Sequence, residues 1–244
     1  MTAPAILQPD WPAPRGVRAA MTTRTGGVSR GTFASFNLAA HVGDDESAVR
    51  TNRQHLRTAL DLPSEPAWLQ QVHGIAVSHL PGANREPADA AVTLVPGVVC
   101  AVLVADCMPV ILASRAGDRV GVAHAGWRGL AAGVIEAAVA ALDCEPAELM
   151  AWLGPAIGPS AFEVGSEVRA ALLAGDAGAA AEFKPGREGR WLANLPELAR
   201  RRLAAAGVAN VYGGDLCTYS EPARFYSYRR DGATGRIAAL AWLA

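Results

Sequence analysis

The sequence predicts an α/β (α+β) fold: a single-domain layered sandwich of mixed β-sheets covered by helices. Three observations predict it. Short strand-like apolar runs outnumber helical patterns along the chain. Two runs, Val98–Ala105 and Val110–Ala113, are apolar at every position, the pattern of strands buried on both faces. The 244 residues are 51% hydrophobic and 18% charged, which suits one packed core over 1–244 and excludes intrinsic disorder.

The elements follow in order. Residues 1–16 read as an irregular segment, with prolines at 12 and 14 and no apolar signal-peptide core. Val17–Thr23 reads as a strand. After the turn at Gly43-Asp44, Asp45–Leu60 reads as a helix with Val49, Arg53, Leu56 and Leu60 on one stripe. Strands are expected at Ala67–Val72, Ala90–Leu94, Val98–Ala105, Val110–Ala113 and Val120–Ala123, with Ser114–Arg119 as a hairpin loop. Leu130–Leu142 carries Leu130, Val134, Ala138 and Ala141 at helical spacing. Leu149–Leu153 reads as a strand running into the rigid loop Gly154–Pro159. Ser166 is positioned to cap a helix to Leu173, closed by Gly175, and Asn194 another to Ala206, closed by Gly207. The small residues Ala174–Ala181 read as a surface loop. Phe225–Tyr228 and Ile237–Leu243 complete the strands. No G-x-G-x-x-G follows the first strand and no Walker A pattern occurs.

Charge and cysteine content narrow the function. Twenty-two basic residues against 23 acidic ones leave a net charge of −1, which offers no strong electrostatic attraction to nucleic acid or an anionic membrane. Only Lys184 among the basic residues is a lysine, an arginine excess read first as compositional. Cys100, Cys107, Cys144 and Cys217 form no C-x-x-C pair and no disulfide framework. The longest apolar stretch, Ala88–Leu112, is broken by Asp89, Asp106 and two prolines, so no membrane span is expected. A soluble, cytoplasmic protein is the expectation.

Three segments end an apolar strand with a polar residue and then a tight turn: Gln71-Val-His73-Gly74, Asp106-Cys107-Met-Pro109 and His124-Ala-Gly126-Trp127-Arg128. Strand ends of this kind are where rigid scaffolds place functional side chains. His73, Cys107 and His124 make a His2Cys set, which suits a zinc ion with an open fourth position. The same residues equally allow a thiolate activated by histidine. Asp106, beside Cys107, is a candidate general acid/base or a support for a metal ligand. Arginine is the second theme. Arg24 stands beside Gly26, Gly27 and Ser29 in a segment able to bind an anion. Arg53 lies on the inward stripe of its helix and calls for a carboxylate or a ligand anion. Of Arg229 and Arg230, one is expected at the site and the other on Asp231 or in solvent. Trp127 is either a stacking platform for a base or a buried tryptophan.

Ten motifs then occur in a fixed order. They are R-x-G-G-V-S at Arg24–Ser29, F-N-L at Phe36–Leu38, H-V-G-D-D at His41–Asp45, N-R at Asn52 and Arg53, and Q-x-H-G at Gln71–Gly74. A-D-C-x-P at Ala105–Pro109, H-A-G-W-R-G at His124–Gly129, G-P-A-I-G-P at Gly154–Pro159, C-T at Cys217 and S-Y-R-R-D at Ser227–Asp231 follow. From about Arg18 to Ala244 the chain thereby resembles the laccase-domain, or multicopper polyphenol oxidoreductase-like, family. Its bacterial members are described as purine nucleoside phosphorylases with adenosine deaminase activity, and one branch as peptidoglycan editing factors.

The resemblance implies that metal ligands fall on His73, Cys107 and His124. It also implies that Arg24, Asn37, Arg53, Gln71 and Arg229 lie near substrate or phosphate. It implies phosphorolysis of adenosine, inosine or methylthioadenosine to base and ribose 1-phosphate, with zinc as cofactor and copper as the alternative. Nucleoside and phosphate are the expected partners, in a monomer or homodimer. Copper-dependent polyphenol oxidase, Cys-His hydrolase and a peptidoglycan-precursor editing or binding factor are the competing readings. A multicopper laccase conflicts with the histidine count: His41, His55, His73, His79 and His124 are too few for a trinuclear cluster and a blue-copper site together.

Overall fold

The computed structural model describes residues 3–82 and 86–244; residues 1 and 2 of the expected irregular segment lie outside the described ones. The chain opens with β1 (Ile6–Leu7), β2 (Val17–Thr22), α1 (Glu46–Leu60), β3 (Ala67–Trp68), β4 (Val77–Leu80) and β5 (Ala90–Thr93). Its middle third holds β6 (Cys100–Val104), β7 (Met108–Ser114), β8 (Val120–Ala125), α2 (Trp127–Ala132), α3 (Val134–Ala141) and β9 (Leu149–Leu153). Then come β10 (Glu163–Gly165), α4 (Ser166–Leu173), β11 (Phe183–Pro185), β12 (Arg190–Ala193), α5 (Leu195–Ala205), β13 (Asn210–Gly213), α6 (Tyr228–Asp231) and β14 (Ile237–Leu243).

Two sheets stack at the centre. One runs β13-β9-β7-β8-β5-β4 and the other β1-β2-β14-β6-β3; β10-β12-β11 form a small third sheet. Pairing is parallel at β13–β9, β4–β5 and β3–β6 and antiparallel elsewhere, so the sheets are mixed as expected. Side-chain alternation explains the uninterrupted apolar runs. On β7, Ile111 and Ala113 pack between the sheets, while Val110 and Leu112 pack under α2, α3 and α5. On β14, Ile237, Ala239 and Ala241 face the six-stranded sheet, while Ala238, Leu240 and Trp242 face α1 and the segment around Phe36. The layers are therefore helix, sheet, sheet, helices. Ile111 and Leu112 are fully buried, and each such side chain contributes about 1.5–3 kcal/mol.

Helix ends follow local chemistry. Asp45 caps α1 by accepting from the Ser47 N–H at 2.7 Å, and Asn194 caps α5. Ser166 opens α4 as its first residue, with Gly165 in the capping position. The single helix expected over Leu130–Leu142 is two, because Gly133 takes φ +104° and returns its N–H to Gly129 O, closing α2 before α3 begins. The loop expected at Ala174–Ala181 contains a 3-10 turn, Ala177–Glu182. The strand expected at Phe225–Tyr228 is absent. Phe225, Tyr226 and Ser227 are buried, but they are held by side-chain bonds instead of a ladder. The Tyr226 hydroxyl donates to Phe33 O, and Ser227 caps α6 at the Arg230 N–H.

Candidate active site and metal centre

Register brings distant residues together. β8 delivers His124 at its end, where Pro109 of β7 is its partner. The sharp turn from β6 into β7 carries Asp106 and Cys107. β14 pairs with β6 from Ile237↔Val104 onward, which sets Arg236, one residue earlier, beside that turn. The loop between β3 and β4 carries His73. The three donor atoms of His73, Cys107 and His124 lie within 4.8 Å of one another. His73 Nε2 stands 3.9 Å from Cys107 Sγ. The two imidazole rings meet edge to face, with centroids 4.7 Å apart and planes at 75°. His124 is buried, Cys107 half-buried and His73 exposed, so the group grades from core to solvent.

Two imidazoles and a thiolate are borderline-soft donors of the kind zinc or copper accepts. The backbone beside them is shaped for close approach. A Cβ on Gly126 would stand 2.9 Å from Cys107 Sγ and 3.0 Å from His73 Cδ2. Gly126→Ala should therefore splay the ligands. We expect metal affinity to fall by an order of magnitude or more, at least the loss typical of disturbing an outer-shell partner, with the fold retained. Metal content after dialysis against a chelator checks it.

Charges within the group support one another. Burial pushes the Cys107 thiol up, but the positive charge and hydrogen bond of His124, with those of His73, bring it down to about 6. Burial pulls His124 down, yet the Cys107 thiolate and the Asp89 carboxylate raise it to about 9. The thiolate and the imidazolium thus stabilise each other.

Asp89 is a site residue that sequence reasoning missed. It precedes β5, and the Ala90↔Ala123 register sets it across from His124. It is fully buried. Its Oδ1 accepts from His124 Nδ1 at 2.8 Å and the His73 N–H at 2.9 Å. Its Oδ2 accepts from the Gly74 N–H at 2.6 Å and the Val72 N–H at 3.1 Å. Three successive amides closing on one carboxylate hold His73 at φ +61°. One side chain thus orients a ligand ring and fixes the loop of a second ligand. Its only sequence signal is a carboxylate opening a wholly buried strand.

Of the two roles considered for Asp106, general acid/base or support for a metal ligand, its bonds match the second. Its carboxylate accepts from the Thr218 hydroxyl at 2.6 Å, the Ser227 hydroxyl at 3.0 Å and the Arg229 N–H at 2.7 Å. It ties α6 and Arg229 to the ligand-bearing turn and is buried.

The cavity in front of the group measures about 360 Å³, a size suited to a small molecule. Gln71 and Arg229 line it, as do Trp127, Arg128, Phe162, Tyr228, His41 and Arg236. Ile157, from the Gly154–Pro159 loop, contributes as well. Gln71 is itself locked to β6, donating to Leu103 O at 2.9 Å and accepting from its N–H at 2.8 Å. Arg230 pairs with Asp231 at 2.7 Å, leaving Arg229 at the cavity. Arg24, Asn37 and Arg53 lie outside its lining. Arg24 donates to the carbonyls of Ala34 and Pro222 and stacks on Tyr226. Arg53 donates twice to Leu38 O and stacks on Trp68 at 4.2 Å. Asn37 is buried and bonds Ala39, Asp44 and the Arg236 N–H. All three brace the segment 34–41, which carries His41 to the rim.

A layered two-sheet scaffold that gathers a three-donor group and several arginines around one small cavity defines a class: an enzyme acting on a small molecule, with a site able to hold one metal. The chain belongs to the family described as multi-copper polyphenol oxidoreductase laccase, which it matches over residues 18–244. The resemblance read from the motifs is borne out. A Pseudomonas aeruginosa protein named purine nucleoside phosphorylase is 53% identical over 98% of each chain. The purine nucleoside phosphorylase YfiH of Escherichia coli is 51% identical over 98% of each. Among solved structures, a Neisseria meningitidis protein superposes with a TM-score of 0.93 at 48% identity, covering 98% of both chains. YlmD of Geobacillus stearothermophilus gives 0.92 at 32% identity, over 100% of this chain and 97% of its own.

Proposed function

We propose that this chain is a purine nucleoside phosphorylase, cleaving the glycosidic bond of adenosine, inosine or methylthioadenosine with phosphate to give base and ribose 1-phosphate. The observation that carries the reading is identity above 50% along 98% of proteins so named. The cavity is consistent with it. Trp127, Phe162, Tyr228 and Ile157 offer flat or apolar surface for a purine base. Arg128, Arg229 and Arg236 supply positive charge for a phosphate and for the negative charge that gathers on a departing base.

His73, Cys107 and His124 would hold the metal, and we assign zinc to them. A zinc ion there would supply Lewis acidity at an open fourth position. The five imidazoles argue against several coppers. Among the described residues only His73 and His124 share a ligand group; His41 lies elsewhere on the cavity lining, His55 on α1 and His79 on β4. With its Nδ1–H donated to Asp89, His124 would turn Nε2 toward the metal as a ligand. The same open position supports a second reaction, hydrolytic loss of the adenosine amino group. We place the enzyme in the cytoplasm, consistent with its free cysteines. No helix among the described residues is long and apolar enough to cross a membrane.

Purified, metal-analysed protein should carry about one zinc and release base from inosine only when phosphate is present. Adenosine without phosphate should yield inosine and ammonia. Base release that ignores phosphate, or none at all, overturns the phosphorylase reading. Turnover of phenols by a copper-loaded form alone would support the oxidase instead.

A further inference from the structure

Among the described residues three arginines line the cavity, and they are not equivalent. Arg128 is exposed and stacks over Trp127 at 4.3 Å. Arg229 is exposed, and its Nη1 donates to Glu163 O at 2.8 Å. Arg236 is half-buried at the inner wall, beside the turn that carries Cys107. Its Nη1 is fixed by Thr234 O at 2.7 Å and Gly235 O at 3.0 Å. Its backbone is fixed by Asn37 Oδ1 at 2.9 Å.

That anchoring consumes one edge of the guanidinium. Among the described residues, neither Nε nor Nη2 of Arg236 has a protein acceptor, and Arg236 joins no ion pair. The nearby acid, Asp106, has its oxygens engaged by Thr218, Ser227 and the Arg229 N–H. A desolvated guanidinium held rigid, with its Nε–Nη2 edge free, is a preformed fork for two oxygens of one anion. Burial also lowers its pKa, the mark of a cation lacking full compensation. The other arginines that the motifs suggested for this task lie outside the cavity lining, as Arg24 and Arg53 do, or are exposed, as Arg229 is.

We propose that Arg236 is the residue that grips the inorganic phosphate co-substrate, through its Nε–Nη2 edge. The proposal rests on the phosphorylase reading above. It also gives the F-N-L segment a purpose: Asn37, braced with Arg53 and Arg24, holds the Arg236 backbone in place. Asn37 is then a positioning residue for the anion site.

The experiment is phosphate-saturation kinetics on the metal-loaded enzyme, wild type against Arg236→Gln and Arg236→Lys. Loss of a bidentate charge-assisted pair should raise the phosphate KM roughly 10- to 100-fold. The nucleoside KM and the zinc content should stay within about twofold of wild type, since neither ligand set is touched. Arg236→Lys, which keeps the charge and loses the fork, should fall between. Arg236→Ala should regain activity on addition of guanidinium ion, an effect that a merely structural arginine would not show. An unchanged phosphate KM, or a uniform fall in kcat with every KM intact, overturns the proposal. Calorimetric titration with inorganic phosphate separates it from the functional reading. If the wild type lacks phosphorolysis yet binds phosphate and Arg236→Gln does not, the anchor stands and the phosphorylase reading falls. If both bind phosphate equally, the anchor falls.

Discussion

Cys107→Ala should leave a folded protein that no longer holds metal. The half-buried thiol contributes little to the core, and β6, β7 and their register do not depend on it. What it does supply is the one anionic donor of the group, placed between two imidazoles within 4.8 Å. Two imidazoles alone make a weak site, so affinity should fall by about 1,000-fold or more, beyond the roughly 10–100-fold cost of losing an outer-shell partner. Activity should fall with it, and circular dichroism should stay the same. A second readout follows from the charges. The Cys107 thiolate is the largest influence raising His124 against its burial, so without it the His124 pKa should drop from about 9 toward the ordinary histidine range. In the wild type, a thiol pKa of about 6 means the thiolate is present above that pH. Metal binding must also displace the His124 proton, so affinity should weaken as pH falls below about 9 and more steeply below about 6, where the thiol is protonated as well. Normal metal content in Cys107→Ala would remove this residue from the centre.

The layered fold and the donor triad were legible in the sequence because both leave local marks. Strands buried on two faces have no polar alternation, so Val98–Ala105 and Val110–Ala113 announced themselves. Cys107 and His124 sit at strand-to-turn junctions and His73 in the loop that follows β3, each beside Gly or Pro punctuation that is visible without a structure; the strand expected over Ala67–Val72 ends at Trp68. Register leaves no such mark. Asp89 meets His124 only because β5 pairs with β8, and in sequence it looked like a charge interrupting an apolar run. Arg236 reaches the cavity only because β14 pairs with β6. Arg24, Asn37 and Arg53 stood out for the opposite reason. Polar groups needed to brace buried backbone carry the same residue types as a binding site, and only their acceptors tell the two apart. The predicted strand at Phe225–Tyr228 failed similarly, since burial without a ladder partner gives the same apolar pattern.

Asp89→Asn should damage stability and metal binding together, although it changes one atom. The carboxylate gives each oxygen two donors: His124 Nδ1 and the His73 N–H on one, the Val72 and Gly74 N–H groups on the other. An amide has one oxygen. With it turned toward Val72 and Gly74, the NH2 group meets the His73 N–H and His124. The ring can then answer only by accepting at Nδ1, which moves its proton to Nε2 and blocks that nitrogen as a ligand. Turned the other way, His124 keeps its tautomer, but the Val72 and Gly74 amides lose their acceptor and face a donor. Each buried donor left unpaired costs about 1–3 kcal/mol, so a total of about 2–6 kcal/mol is expected in either orientation. The loop holding His73 at its positive φ loosens with it, and metal affinity should fall about 10–100-fold. The pH dependence has a definite sign. Burial works to raise the Asp89 pKa, but the bonds from His124, Gly74 and Val72 lower it below the ordinary carboxylate value. Its stabilisation is therefore present above that ordinary value and lost as pH falls through the folded one. Urea unfolding of the metal-free proteins should show a wide gap between wild type and Asp89→Asn near neutral pH, narrowing in strong acid. Equal midpoints near neutral pH would mean that the four bonds to Asp89 do not hold the site.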